Sequence, residues 1–240
     1  MNVTIIYGTK TKSSTYNCVE LLLNNLRLNM NIEVTEFLLP KYLPNFFYGH
    51  LSCFVNNKNT YSPLSNIDNI VNSINESDLI ILTCPVLSCD ISSEMKSFLD
   101  YLSYKSLENK SESIMRNKIG LIMSTSLGAG LPHAIHKLKR IMISCGASNT
   151  FTFSKTFYEM NWQDVTLKSK MHITKKLFKL SNKIISIYIR SHPIKNHVFN
   201  KISFMHKQTI LNQYPCNVID IDFNERGNLP HLHIKNTNIQ

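Results

Sequence analysis

No two of the chain's six cysteines, at positions 18, 53, 84, 89, 145 and 216, form a C-x-x-C pair. That spacing excludes a zinc ribbon and a thioredoxin motif. In a reducing cytosol most of the six are expected to be small buried apolar residues. No apolar stretch reaches the length of a membrane-spanning helix. The start has neither a basic n-region nor a long apolar run, so no signal peptide is expected and a cytoplasmic location is. The chain also lacks a Walker A loop, a G-x-G-x-x-G fingerprint, internal repeats and low-complexity linkers. Glycine is scarce, at seven in 240 residues.

Acidic residues are scarce in the second half only. Residues 1–120 hold ten Lys/Arg against eleven Asp/Glu, whereas residues 121–240 hold sixteen against five. A basic half can mark a nucleic-acid or acidic partner. No aromatic-interleaved or helix-turn-helix pattern accompanies the charge here, so it reads as solvated surface and nucleic acid is not an expected partner.

What is present is an alternation. Hydrophobic periodicity predicts strands over 3–7, 32–38, 79–83, 119–124 and 150–153. It predicts helices over 15–28, 67–74, 92–104, 132–144 and 164–189, with an irregular stretch over 40–63. A further helix is expected over 195–211 and a late strand over 217–223. Strand–helix alternation implies right-handed crossovers and a parallel sheet. Runs such as "LIILTC" and "IGLIMS" suit strands buried on both faces. Five strands so arranged fit the flavodoxin-like doubly wound α/β fold, strand order 2-1-3-4-5. The domain is expected to span 1–190, with 191–240 as a C-terminal extension packed on it or on a dimer partner. The 164–189 helix has Ile173, Leu177, Leu180, Ile184 and Ile187 on one seam and its lysines largely off it, which makes it an ordinary amphipathic helix. No membrane partner is expected.

In this fold, ligands bind outside the carboxyl ends of the strands near the switch point. Three segments should meet there: "GTKTKSST", "PVLSCD" and "TSLGAG". In the first, Thr9, Thr11, Ser13, Ser14 and Thr15 offer hydroxyl donors, Lys10 and Lys12 add positive charge, and Gly8 lets the backbone turn. With the unpaired N–H groups of the following helix they make a socket for a monophosphate dianion. Taken alone, the loop reads equally as a Ser/Thr-rich turn in which Ser14 caps the helix. In the second, Pro85 is expected to stop the strand ladder. Backbone groups of Val86, Leu87, Ser88 and Cys89 would then face a flat heteroaromatic ring, with Leu87 at its edge. In the third, Thr125, Ser126, Leu127, Gly128 and Gly130 surround a place where a ring approaches backbone closely. A phosphate socket with two ring-cradling loops suggests a flavin mononucleotide site.

These stretches carry a resemblance. "IIYGTKTKSSTYN", "SDLIILTCPVLSCDISSEMKSFLDYLSY" and "GLIMSTSLGAGLPHAIHKLKRIMISCGAS" are similar to the NADPH-dependent FMN reductase family of flavodoxin-like proteins, in the branch near the iron–sulfur flavoproteins. The resemblance spans about residues 1–155. It implies that the first loop holds the FMN phosphate and that 85–89 and 125–130 hold the isoalloxazine. It also implies NADH or NADPH as hydride donor and a homodimer. The chain departs from the family at several places. Leu87 stands where a tyrosine is usual, Tyr101 where an arginine is usual, and Gly8-Thr9-Lys10-Thr11 replaces Gly-Ser-Pro-Arg. Of the cysteine cluster that many relatives carry after strand two, only Cys53 remains in "HLSCFVNNKNTY". One thiolate cannot hold a cluster that needs four ligands, so no iron–sulfur cluster is expected.

Other candidates carry less. Cys89 reads as a lining residue. His133 and His136 are three apart on a helix but have no local Asp, Glu or Cys to complete a metal site. His231 and His233 lie in the C-terminal tail. The expected function is an FMN-dependent NAD(P)H oxidoreductase passing electrons to free flavin, a quinone, or a nitro or azo compound. No side chain is expected to act as catalytic acid or base, because the flavin carries the chemistry. The alternatives are a flavodoxin-type electron carrier and a flavodoxin-like binding or regulatory protein.

Overall fold

The structure is a computed structural model that describes residues 1–9, 14–42, 65–86, 89–108, 114–159 and 161–191. The expected helix at 195–211, strand at 217–223 and C-terminal extension lie outside the described residues, apart from the extension's first residue.

In chain order the elements are β1 Asn2–Tyr7, α1 Ser14–Arg27, β2 Glu33–Leu38, α2 Leu39–Tyr42, α3 Ser65–Glu76, β3 Leu79–Thr83, α4 Ser93–Glu108, β4 Ile119–Ser126, α5 Leu131–Ser144, β5 Asn149–Thr156 and α6 Leu167–Ser191. All four strand pairings are parallel, and the sheet order is β2-β1-β3-β4-β5. This is the flavodoxin-like doubly wound arrangement that the alternation predicts. Its switch point lies at β1 and β3, where successive connections leave to opposite sides.

Side-chain alternation sorts the core into two layers. Val3, Ile5 and Tyr7 of β1, Leu79 and Ile81 of β3, and Leu121 and Met123 of β4 face α1 and α6. Ile6, Ile80, Leu82 and Ile122 face the opposite way, onto α3, α4 and α5. β3 and β4 are buried along their whole length, which is why they read as continuous apolar runs. α1 presents Cys18, Val19, Leu22, Leu23 and Leu26 inward, at helical spacing. α6 buries Ile173, Leu177, Ser181, Ile184 and Ile185 and leaves Lys168, Lys175, Lys176, Lys179 and Lys183 exposed.

Most element ends shift by a few residues from the predicted ones, and three differences have a clear cause. A four-residue helix, α2, follows β2 directly, and Pro40 sits in its first turn, where a missing N–H costs nothing. β5 reaches Thr156 because Lys155 and Thr156 pair with Thr125 and Ser126. α6 begins after a separate turn at Trp162–Asp164, with the Ser169 N–H donating to Thr166 Oγ1 at 3.3 Å.

Candidate functional site

The first loop starts where β1 ends. The Gly8 N–H donates to the Thr83 carbonyl at 2.8 Å, which extends the β1–β3 pairing by one residue. Gly8 does not adopt positive φ, so its role is not the turn expected from sequence. A Cβ there would lie 2.9 Å from Ser92 Oγ and 3.2 Å from Cys84 Sγ. Close approach of neighbouring side chains is what demands glycine. Thr9 is half-buried, as is Ser14 at the start of α1. Thr15 is buried, and its Oγ1 lies 2.5 Å from Thr125 Oγ1, joining the first turn of α1 to the end of β4. Lys10, Thr11, Lys12 and Ser13 lie outside the described residues.

The second loop does not break from the sheet at Pro85 as expected. The Cys84 N–H donates to the Met123 carbonyl at 3.2 Å and the Val86 N–H to the Thr125 carbonyl at 2.8 Å. Val86 bridges Ser126 in parallel register. Alternate N–H groups point to alternate sides of a strand, so Pro85 occupies a position where no donor is needed toward β4. The Val86 N–H is therefore spent within the sheet. Ser124 Oγ donates to the Cys84 carbonyl at 2.5 Å and reinforces this junction. Leu87 and Ser88 lie outside the described residues. Cys89 is exposed, with φ of 65°. Asp90 accepts from Lys137 Nζ at 2.7 and 3.1 Å, and its Oδ1 also accepts the Ile91 N–H at 2.8 Å. The lysine bond, then the backbone N–H, holds the Asp90 carboxyl below its ordinary range. Burial pushes the Cys84 thiol up, partly offset by the Ser92 N–H that donates to its sulfur.

The third loop folds on itself. Ser126 Oγ donates to the Gly128 carbonyl at 2.9 Å, and the Ser126 carbonyl accepts the Phe157 N–H at 2.8 Å. Leu127 is 56% exposed. The two glycines serve opposite purposes. A Cβ on Gly128 would meet nothing within 4 Å, so the space beside its backbone is open. Gly130 has φ of 91° and precedes α5, and a Cβ on it would fall 2.4 Å from the Cys89 Cα. Its small size is used up by contact between the second and third loops.

Thr9, Ser14, Thr15, Pro85, Val86, Cys89, Thr125, Ser126, Leu127, Gly128 and Gly130 thus lie at or just beyond the carboxyl ends of β1, β3 and β4. Hydroxyls and a helix start flank an open strip of backbone with exposed apolar Leu127. This set of groups fits a phosphorylated flat heteroaromatic such as FMN. Sequence reasoning missed Ser92, Ser124 and the Asp90–Lys137 pair. Ser92 was signalled only as a hydroxyl residue at a helix start. Tyr101 is buried on α4, its hydroxyl donating to Asp68 Oδ1 at 3.1 Å. His133 and His136 are exposed on α5. Among the described residues no three His, Cys, Asp or Glu side chains group as metal ligands, and no helix is long and apolar enough to cross a membrane. Cys53, His231 and His233 lie outside the described residues.

The model of the family described as NADPH-dependent FMN reductase matches residues 1–157. No curated protein matches the chain in sequence. Among solved structures, an azoreductase from Bacillus anthracis str. Sterne superposes with a TM-score of 0.58 at 15% identity, covering 76% of this chain and 99% of that one. An FMN-dependent NADH-azoreductase from Bacillus anthracis str. Ames Ancestor, solved in complex with FMN, gives 0.57 at 11% identity, covering 77% and 99%. FerB from Paracoccus denitrificans, a flavoenzyme NAD(P)H:(acceptor) oxidoreductase, gives 0.53 at 12%, covering 79% and 98%. At these identities the superpositions speak to the fold.

Proposed function

The chain belongs to the NADPH-dependent FMN reductase family, and on that premise we propose that it takes a hydride from NADH or NADPH and passes electrons to a small acceptor: free flavin, a quinone, or a nitro or azo compound. The observation that carries the reading is the meeting of a hydroxyl-bearing helix start with open backbone beside Gly128 at the carboxyl ends of β1, β3 and β4.

Bound here, FMN would supply the two-electron chemistry, and the protein would supply position and access. Ser14, Thr9 and the first-turn N–H groups of α1 would hold the phosphate, with Lys10, Lys12 and Ser13 of the same loop. The backbone at 126–128 would lie against the ring, with Leu127 as an apolar wall. Thr15 supports this arrangement through Thr125. The Gly130–Cys89 contact keeps the two ring loops at fixed separation. No side chain is assigned as acid or base. The single cysteine of "HLSCFVNNKNTY" argues against an iron–sulfur cluster, and stoichiometric iron with acid-labile sulfide after anaerobic purification would overturn that part. A homodimer and a cytoplasmic location complete the reading.

The test is anaerobic mixing of the FMN-loaded protein with NADH or NADPH. Bleaching of the flavin band is expected. A loaded protein that neither nicotinamide bleaches would be a carrier or a flavin-binding protein instead.

A further inference from the structure

We propose that Ser92 is a positioning residue for the cofactor: it ties the phosphate loop to the ring loop, and preference for FMN over riboflavin depends on its hydroxyl. The proposal rests on the FMN reading of the site.

Ser92 is buried just ahead of α4, where its carbonyl accepts the Lys96 N–H at 2.9 Å and its Oγ accepts from Cys84 Sγ at 3.8 Å. Its Oγ donates to the Gly8 carbonyl at 2.8 Å. The same Oγ accepts the Met95 N–H at 3.3 Å. Its own N–H donates to Cys84 Sγ at 3.3 Å. An ordinary helix cap needs only the acceptor, and the bond to Met95 supplies it. The hydroxyl hydrogen is directed elsewhere, to a carbonyl 84 positions earlier in the chain.

That carbonyl matters because of where it sits. The Gly8 N–H is already held by Thr83. With Ser92 on the carbonyl, both backbone groups of Gly8 are fixed, and so is the direction in which the chain leaves for Thr9 and the phosphate loop. Cys84, whose Sγ accepts the Ser92 N–H, lies at the base of the ring loop, two residues before the Val86 N–H makes its bond to β4. One buried residue thus stands at the roots of both segments, its hydroxyl on the Gly8 carbonyl and its backbone N–H on Cys84 Sγ. The fit is tight enough that Gly8 has no room for a Cβ, which would stand 2.9 Å from Ser92 Oγ. A ligand that spans both loops feels their separation, whereas one lacking the phosphate feels it much less.

The experiment titrates the full-length, flavin-freed protein with FMN and with riboflavin by flavin fluorescence quenching. The readout is the ratio of the two dissociation constants. Ser92→Ala is expected to lower the FMN preference about tenfold, the scale of one buried hydrogen bond. Ser92→Thr, which keeps the hydroxyl, is expected to retain most of it. A lowered melting temperature with an unchanged ratio would reduce Ser92 to a helix cap and overturn the proposal, as would a Thr variant as poor as Ala. Should Ser92→Ala not fold, Gly8→Ala probes the same contact from the other side. Its methyl group displaces the hydroxyl, so the ratio should fall again, and an unchanged ratio overturns the proposal. A wild-type protein with no FMN preference would sink the phosphate reading along with this one. A wild-type preference that Ser92→Ala leaves intact sinks this one alone.

Discussion

Gly130 rests against the backbone of Cys89: a methyl group built on its Cα would lie 2.4 Å from the Cys89 Cα and 2.6 Å from the Cys89 carbonyl oxygen. Both residues have positive φ, 91° and 65°. The neighbour that would have to yield is main chain, which cannot rotate away as a side chain can. Gly130→Ala should therefore cost at least about 1–3 kcal/mol from backbone strain alone. Gly128→Ala, with open space beside it, should stay within about 0.5 kcal/mol. Urea unfolding of the two variants checks the contrast, and equal losses would contradict the close approach.

Ser14 tests the phosphate end. Losing one charge-assisted contact costs about 1.5–3 kcal/mol. Ser14→Ala should then weaken FMN roughly tenfold or more while leaving riboflavin nearly unchanged. Fluorescence titration of both ligands reads this, and equal losses would remove the phosphate from the α1 terminus.

Accessibility predicts a labelling order among the described cysteines. Cys89 is exposed, whereas Cys18, Cys84 and Cys145 are buried. Burial raises the Cys18 thiol to about 12, so it offers little thiolate at neutral pH. A thiol reagent under native conditions should modify Cys89 before those three. Saturating FMN should slow that modification if Cys89 lines the flavin site. Peptide mass spectrometry against time gives both results, and labelling of Cys89 indifferent to FMN would place the ring elsewhere.

The Asp90–Lys137 pair gives a pH signature. The lysine bond depresses the Asp90 carboxyl in the folded protein. A depressed carboxyl adds stability that is complete above its unfolded pKa, about 3.9, and disappears as pH falls through the lower folded value. Both side chains are substantially exposed, so solvent screening keeps the effect under about 1 kcal/mol. Asp90→Asn should lower stability slightly at pH 7, and the difference should shrink as pH falls through the folded value. Urea midpoints across the acid range test this, and a difference that does not shrink on acidification would point to packing instead.

The central strands were legible because burial on both faces writes itself into the sequence as an uninterrupted apolar run. β3 begins and ends where periodicity places it. β5 was shortened because its last residues, Lys155 and Thr156, are polar. Their strand conformation comes from pairing with Thr125 and Ser126, about thirty positions away, and no local pattern encodes that. Residues 40–42 fall in the expected irregular stretch but are helical, because a helix tolerates proline in its first turn. The loops that gather at the strand ends followed from topology once the fold was assigned. The reasons for individual residues did not. Gly8 is expected to let the backbone turn but is a contact residue, and Pro85, expected to stop the strand ladder, lies between two amides that still bond to β4. In both cases the deciding partner, Ser92 or Thr125, is remote in sequence.

β4 is buried at all eight positions, pairs on both sides and ends at Ser126 in the candidate site. Its amides should be among the last to exchange with deuterated water, opening only when the whole domain unfolds. A ligand that binds only the folded state slows such exchange by raising global stability. FMN at one end of the strand would then protect Ile119 at the other end as much as Ser124. Exchange along β4 becomes an occupancy gauge that needs no colour, turnover or electron acceptor.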